Sequence, residues 1–323
     1  MKVNFQILIP SPLKRTERCI KNMELFKCEH LTKNLGEYKL NDMTFSLEPG
    51  MVLGVIGTNG CGKTTLLRSI LGSYRLDQTP EDGGKLWLDQ KSASENVKEY
   101  RQNMAYVMTE CPFPSLMFAN EAGEKYGYYY PGFDFQKYTQ LLKEYEIPEK
   151  TLFNSLSTGQ KIRTQLAFAQ SYPAKLYVFD EPVGNLDVEF RDTFYEIVRN
   201  LVSSGESSVI LSSHLVTELE LIADYLLWIE KKENVGSTKY FGTIDDLKNN
   251  YCLLSVEENM AQAIPKEMIV GKRIRTNHSE FLIRLNSKSE ADDLTGKLPE
   301  ELQSKLRYPD LQEIMYFTEK ENS

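Results

Sequence analysis

Brief apolar runs recur along the chain, and the stretches between them carry apolar residues every three or four positions. The runs at 51–56, 176–179, 208–211 and 225–230 have strand length and little polarity. The stretches at 66–71, 188–202 and 215–222 have helical spacing. Strands that alternate with helices predict an α/β fold with a mostly parallel sheet, covered on both faces. Further strands are expected at 23–31, 44–47, 85–88 and 104–107, with turns at Glu48-Pro49-Gly50 and Asp82-Gly83-Gly84. From about 110 to 145 prolines and aromatics take over, and helices fit 116–126 and 136–145. This predicts a helical insertion over roughly 110–172, its aromatics serving mainly as core. Lys239-Tyr240-Phe241-Gly242-Thr243 closes a main domain spanning 23–243. Residues 244–323 read as a small α+β appendix, with helices at 244–250, 289–298 and 309–317 and strands at 252–256 and 280–285. Residues 1–22, broken by prolines, read as a separate N-terminal extension: a loosely held arm, or a segment preceding a natural start at Met23.

In such sheets ligands sit beyond the carboxyl ends of the strands. After the run 51–56 comes Gly57-Thr58-Asn59-Gly60-Cys61-Gly62-Lys63-Thr64-Thr65, and then a helix. Glycine, four residues and Gly-Lys-Thr between strand and helix form a phosphate-binding loop. Its glycines let successive N–H groups turn inward on an anion, and the helix N-terminus adds partial positive charge. Lys63 is placed to reach the β- and γ-phosphates of a nucleoside triphosphate, and Thr64 to ligate Mg²⁺. The run 176–179 ends in Asp180-Glu181. On the same edge Asp180 is placed to hold Mg²⁺, and Glu181 to orient and polarise an attacking water. His214, after Ser212-Ser213, lies level with both and can touch the γ-phosphate and steady Glu181. Ser157 reads first as the N-cap of the helix at 161–170, and a capped helix start is also an anion site.

Composition narrows the picture. The 323 residues carry a net charge of -8, which gives no general attraction to nucleic acid. No apolar run approaches the roughly 18 residues of a membrane-spanning helix, so a membrane role works through a partner. The five cysteines are scattered without a C-x-x-C pair, which fits a reducing, cytoplasmic setting.

The set as a whole resembles the ATP-binding subunit of an ABC transporter. Gly57–Thr65 resembles its Walker A loop. Leu156-Ser157-Thr158-Gly159-Gln160 resembles its LSGGQ signature, with Thr158 in place of the first glycine. The run ending in Asp180-Glu181 resembles Walker B with its catalytic glutamate. Gly184-Asn185-Leu186-Asp187 resembles the D-loop, and His214 the switch histidine. The run Tyr129–Asp134 also resembles a bacterial branch of multidrug and cell-envelope exporters. The resemblance implies a P-loop NTPase that binds ATP and Mg²⁺ between two such subunits, as a homo- or heterodimer. Ser157, Gly159, Gln160 and Asp187 would then join the nucleotide site, Ser157 and Gly159 reaching the γ-phosphate of the other subunit. It further implies a separate transmembrane permease subunit, a place on the inner face of the cell membrane, and no nucleic-acid partner. Two positions depart from the family pattern. Thr109 stands where glutamine is usual, next to Glu110, and Leu35 stands where an aromatic usually stacks on adenine, with Tyr38 as a shifted candidate. The alternatives are a non-transport ABC ATPase acting on ribosomes or DNA, and a degenerate nucleotide-sensing module. A single cassette, the absence of a heptad run and the intact Lys63, Glu181 and His214 weigh against them.

Overall fold

The computed structural model describes residues 24–75, 84–256, 268–275, 278–285 and 306–320. The chain begins with β1 (Phe26–Leu35), β2 (Tyr38–Leu47) and β3 (Val52–Ile56), then α1 (Lys63–Ile70), β4 (Lys85–Leu88), β5 (Lys91–Ser92), α2 (Val97–Gln102) and β6 (Met104–Val107). A helical block follows: α3 (Ala119–Tyr126), α4 (Phe135–Glu144) and α5 (Thr158–Ala169). Next come β7 (Leu176–Asp180), α6 (Val188–Val202), β8 (Ser208–Ser212), α7 (Val216–Ile222), β9 (Tyr225–Lys232) and β10 (Val235–Thr243). The remainder is α8 (Ile244–Asn249), β11 (Tyr251–Val256), β12 (Ile269–Ile274), β13 (Ser279–Arg284), β14 (Leu306–Arg307) and α9 (Leu311–Lys320). The expected arm at 1–22, the helix at 289–298 and most of the turn at 82–84 lie outside the described residues.

One ten-stranded sheet runs in the order β5-β4-β1-β2-β10-β9-β3-β8-β7-β6. The strands β9, β3, β8, β7 and β6 pair in parallel, and β3, β7 and β8 are buried at every residue. That is the signature of strands covered on both faces. The other half is antiparallel where β1 pairs with β2 and β4, β4 with β5, and β9 with β10, and a short parallel pairing of β2 with β10 joins the two parts. Pairing across the β1–β2 ribbon explains why those strands run ten residues each, beyond the short apolar runs that signal them.

Alternate side chains of the central strands enter two cores. Val52, Ile56, Tyr177, Phe179, Val209 and Leu211 face α5, α6, α7 and the helical block. Leu53, Val55, Leu176, Val178 and Ile210 face α1 and the antiparallel strands. Within the helical block the aromatics are mainly core, as expected. Tyr138, Phe153, Phe168 and Tyr172 are buried, while Tyr128 is 90% exposed and Tyr129 62%. Gly123 and Gly127 lie so close beneath the rings of Tyr138 and Phe133 that a Cβ would sit 2.4 Å from a ring carbon.

The C-terminal strands form a second sheet in the order β12-β13-β11-β14, antiparallel where paired. From it α9 reaches back to the main body. Leu311 and Ile314 enter the larger core, and the Leu311 N–H donates to Glu220 on α7 at 3.0 Å. Arg273 bridges the buried carboxylate of Glu280 (2.5 Å) and the partly buried Glu313 of α9 (3.9 Å).

Candidate functional site

The loop after β3 is shaped by glycines that nothing else can replace. Gly57 has φ 150, and a Cβ there would meet the Ile229 carbonyl oxygen at 2.3 Å. Gly62 has φ 107, the left-handed region, and a Cβ there would strike the Tyr38 hydroxyl at 2.0 Å. Thr58, Asn59 and Gly60 form an exposed crest, Cys61 turns inward, and α1 starts at Lys63. The ammonium of Lys63 is buried; it donates to the Gly57 carbonyl at 3.0 Å and stands 3.5 Å from Glu181 Oε1.

Two strand ends complete this group. Asp180 closes β7 and is only 2% exposed. Its carboxylate accepts from the Thr64 hydroxyl at 2.9 and 3.2 Å and from Ser212 Oγ at 2.8 Å. Glu181, one residue on, has φ 49. This turn swings its side chain off the strand line, so that Oε1 faces Lys63 and Oε2 pairs with His214 Nδ1. The missing Cβ of Gly184 leaves space for the His214 ring. Thus Lys63, Thr64, Asp180, Glu181 and His214, far apart in sequence, meet in one place. The Thr109 hydroxyl also reaches it, donating to the Asp180 carbonyl at 3.2 Å, whereas exposed Glu110 pairs away with Arg68 at 2.7 Å. A hydroxyl and a carboxylate side by side are hard oxygen donors suited to Mg²⁺, which takes one or two protein ligands and completes its shell with phosphates and water.

The remaining expected residues form a second set. Ser157 caps α5 by accepting from Gln160 N at 3.1 Å, and the Gln160 side chain accepts from Ser157 N at 3.0 Å, a capping box. Asp187 caps α6 by accepting from Phe190 N at 2.9 Å and pairs with Arg163 of α5. The Phe190 N–H first, and then the Arg163 charge, hold its carboxyl below the usual range. Gly159 packs against the Asn185 carbonyl; a Cβ would lie 2.8 Å from it. These bonds stay on α5 and α6, and the D-loop glycine Gly184 lies against His214 of the first group.

Three contacts escape a reading of motifs. Ser212 binds Asp180 and lies opposite it in the β7–β8 register. Buried Gln165 of α5 exchanges two hydrogen bonds with the Met108 backbone, at 3.0 and 3.1 Å, tying the signature helix to the end of β6. Tyr38 is not free for stacking at its polar end, because its hydroxyl donates to the Cys61 carbonyl at 2.6 Å. The position of Ser212 is recoverable from sequence by setting two four-residue apolar runs level; the other two need the tertiary fold.

Comparison with known proteins gives this arrangement its context. The profile of the family described as ABC transporter matches residues 40–184. The chain is 28% identical over 218 residues to the ABC transporter ATP-binding protein YtrB of Bacillus subtilis, covering 67% of this chain and 70% of that protein. It is 30% identical over 250 residues to the putative phosphonates utilization ATP-binding protein PhnK of Escherichia coli, covering 73% of this chain and 97% of that protein. A solved dimeric ATP-binding cassette, in a post-hydrolysis state with ADP and Pi, aligns with a TM-score of 0.57 at 18% identity, over 68% of this chain and 98% of that one. With the P-loop fold in place around these motifs, the chain belongs to the ATP-binding proteins of ABC transporters and is an ATPase.

Proposed function

We propose that this chain hydrolyses MgATP as one half of a paired ATP-binding unit that drives a separate membrane-spanning permease. The observation that carries the proposal is the partnering of the two sets of residues: the Ser157 side chain bonds within its own helix start, whereas Lys63 and Thr64 bond within the phosphate loop and to Asp180 and Glu181. The phosphate loop, Asp180, Glu181 and His214 form one group, while Ser157 and Gly159 are grouped with their own D-loop on α5 and α6. A second subunit, presented head to tail, would supply its Ser157 and Gly159 to the open crest at Thr58–Gly60. No helix among the described residues is long and apolar enough to cross a membrane. The reading therefore assigns the crossing to the permease, with this chain on its inner face.

In this mechanism Lys63 exchanges its contact with Glu181 for the β- and γ-phosphates, and the freed Glu181 oxygen accepts a hydrogen bond from the attacking water. His214 steadies the other oxygen of Glu181 and borders the γ-phosphate. Thr64 and Asp180 would hold Mg²⁺, which supplies charge neutralisation on the phosphates. Glu181→Gln tests the whole reading: with ATP it should accumulate as a stable dimer by light scattering, with turnover reduced by at least 100-fold. A variant that stays monomeric and hydrolyses at the parent rate would refute it.

A further inference from the structure

Ser212 closes β8 directly opposite Asp180, fully buried, and touches both acidic residues at once. Its single proton goes to Asp180 Oδ1 at 2.8 Å, and its oxygen accepts the Glu181 N–H at 3.0 Å. The Ser212 carbonyl also faces that N–H, at 3.2 Å. Glu181 at φ 49 is in a conformation that L side chains rarely adopt, so it persists only where neighbours hold it. Thr64 also bonds Asp180, but its residue is exposed and its hydroxyl is the one expected to turn toward a cation. Ser212 has no such alternative, since the strand pairing fixes its direction.

We infer that Ser212 is a positioning residue of the ATPase reaction. It fixes the orientation of the Asp180 carboxylate for Mg²⁺ and, through the same hydroxyl, the backbone turn that aims Glu181 at the attacking water. Metal binding and water orientation are thereby linked through one oxygen. The inference rests on the MgATP reading above.

Its test is nucleotide binding without turnover, together with steady-state kinetics, on the full chain and its Ser212→Ala, Ser212→Cys and Ser212→Thr variants. The probe is a fluorescent, non-hydrolysable ATP analogue, titrated in EDTA and again in excess Mg²⁺. In EDTA all variants should bind within twofold of the parent, because the Lys63 loop is untouched. The Mg²⁺-dependent gain in affinity should fall about tenfold in the Ala and Cys variants and return in Thr, which restores the hydroxyl. kcat should follow the same order, with KM for the nucleotide moving less. The inference is overturned if Ser212→Ala keeps its Mg²⁺ gain and kcat within twofold. It is equally overturned if the losses track melting temperature rather than the presence of the hydroxyl. A parent chain that binds no nucleotide, or whose binding Lys63→Ala leaves unchanged, would instead refute the MgATP reading and this inference with it.

Discussion

Tyr38→Phe removes one oxygen and separates two roles for this residue. The hydroxyl donates to the Cys61 carbonyl at 2.6 Å, inside the phosphate loop. Space for it comes from Gly62 and Gly236, where a Cβ would lie 2.0 and 2.2 Å from the hydroxyl oxygen. Burial pushes its pKa up to about 12, so it stays a donor throughout the working pH range. A Phe ring leaves the carbonyl of buried Cys61 facing carbon, hemmed in by Gly236. Leaving a buried acceptor unpartnered costs about 1–2 kcal/mol. If that cost falls on the loop conformation that cradles phosphate, ATP affinity drops about 5- to 30-fold. The loss should be equal for ATP and GTP and present in EDTA, because the strut acts on the phosphate cradle and not on the base. Tyr38→Ala should be only modestly worse. A stacking role makes the opposite forecast, with Phe silent, Ala severe and the effect dependent on the base. Calorimetric titration of the variants with both nucleotides decides. Affinity in Tyr38→Phe within threefold of the parent, at an unchanged melting temperature, would refute the strut.

Two further predictions concern the C-terminal segment. Glu220 accepts from Leu311 N at 3.0 Å and from Lys248 Nζ at 3.1 Å, so Glu220→Ala should cost about 2 kcal/mol at this junction. Amides of α9 should then exchange about 30-fold faster, and unchanged exchange would contradict the clamp. Burial raises the Glu280 and Glu313 pKa values, but hydrogen bonds and charge from Arg273, Arg275 and Arg307 outweigh it and leave both below the ordinary 4.5. Their stabilisation is therefore complete above about pH 4.5 and is lost as pH falls through the depressed values. Arg273→Ala should move acid unfolding of β12–β13, followed by amide NMR, to higher pH; an unmoved midpoint would sink the pairing argument.

The parallel half of the sheet was legible because its strands are buried on both faces and so read as unbroken apolar runs. The helix over 188–202 is amphipathic along its whole length and capped by Asp187 at its start, and the expected bounds hold to the residue. The edges were not legible. In β12, Lys272 and Arg273 interrupt the apolar pattern, and β14 is only two residues long. Such strands are defined by the neighbour they pair with, which local pattern does not encode. The pairing of β2 with β10, which brings Gly236 beside Tyr38, is equally remote in sequence. Leu35, at the usual stacking place, is partly exposed, and Tyr38 three positions later is drawn into the loop instead.

The expected nucleotide contacts divide by chemistry as well as by place. Gln160 and Asp187 already have partners within the chain: the capping box for one, the α6 cap and Arg163 for the other. As caps they fix the start of two helices and leave their own carbonyl or carboxylate oxygens pointing at N–H groups, away from an anion. Ser157 differs. Its oxygen accepts from Gln160 N, which leaves the hydroxyl proton to donate, and the residue is exposed. Together with the first N–H groups of α5, this is a surface that attracts phosphate oxygen. A single chain thus carries both an exposed helix start with a hydroxyl left to donate and an exposed phosphate-loop crest. Two copies, or two relatives, placed head to tail would satisfy both at once. This is why the proposed pairing follows from what each residue has left to donate rather than from the motif names.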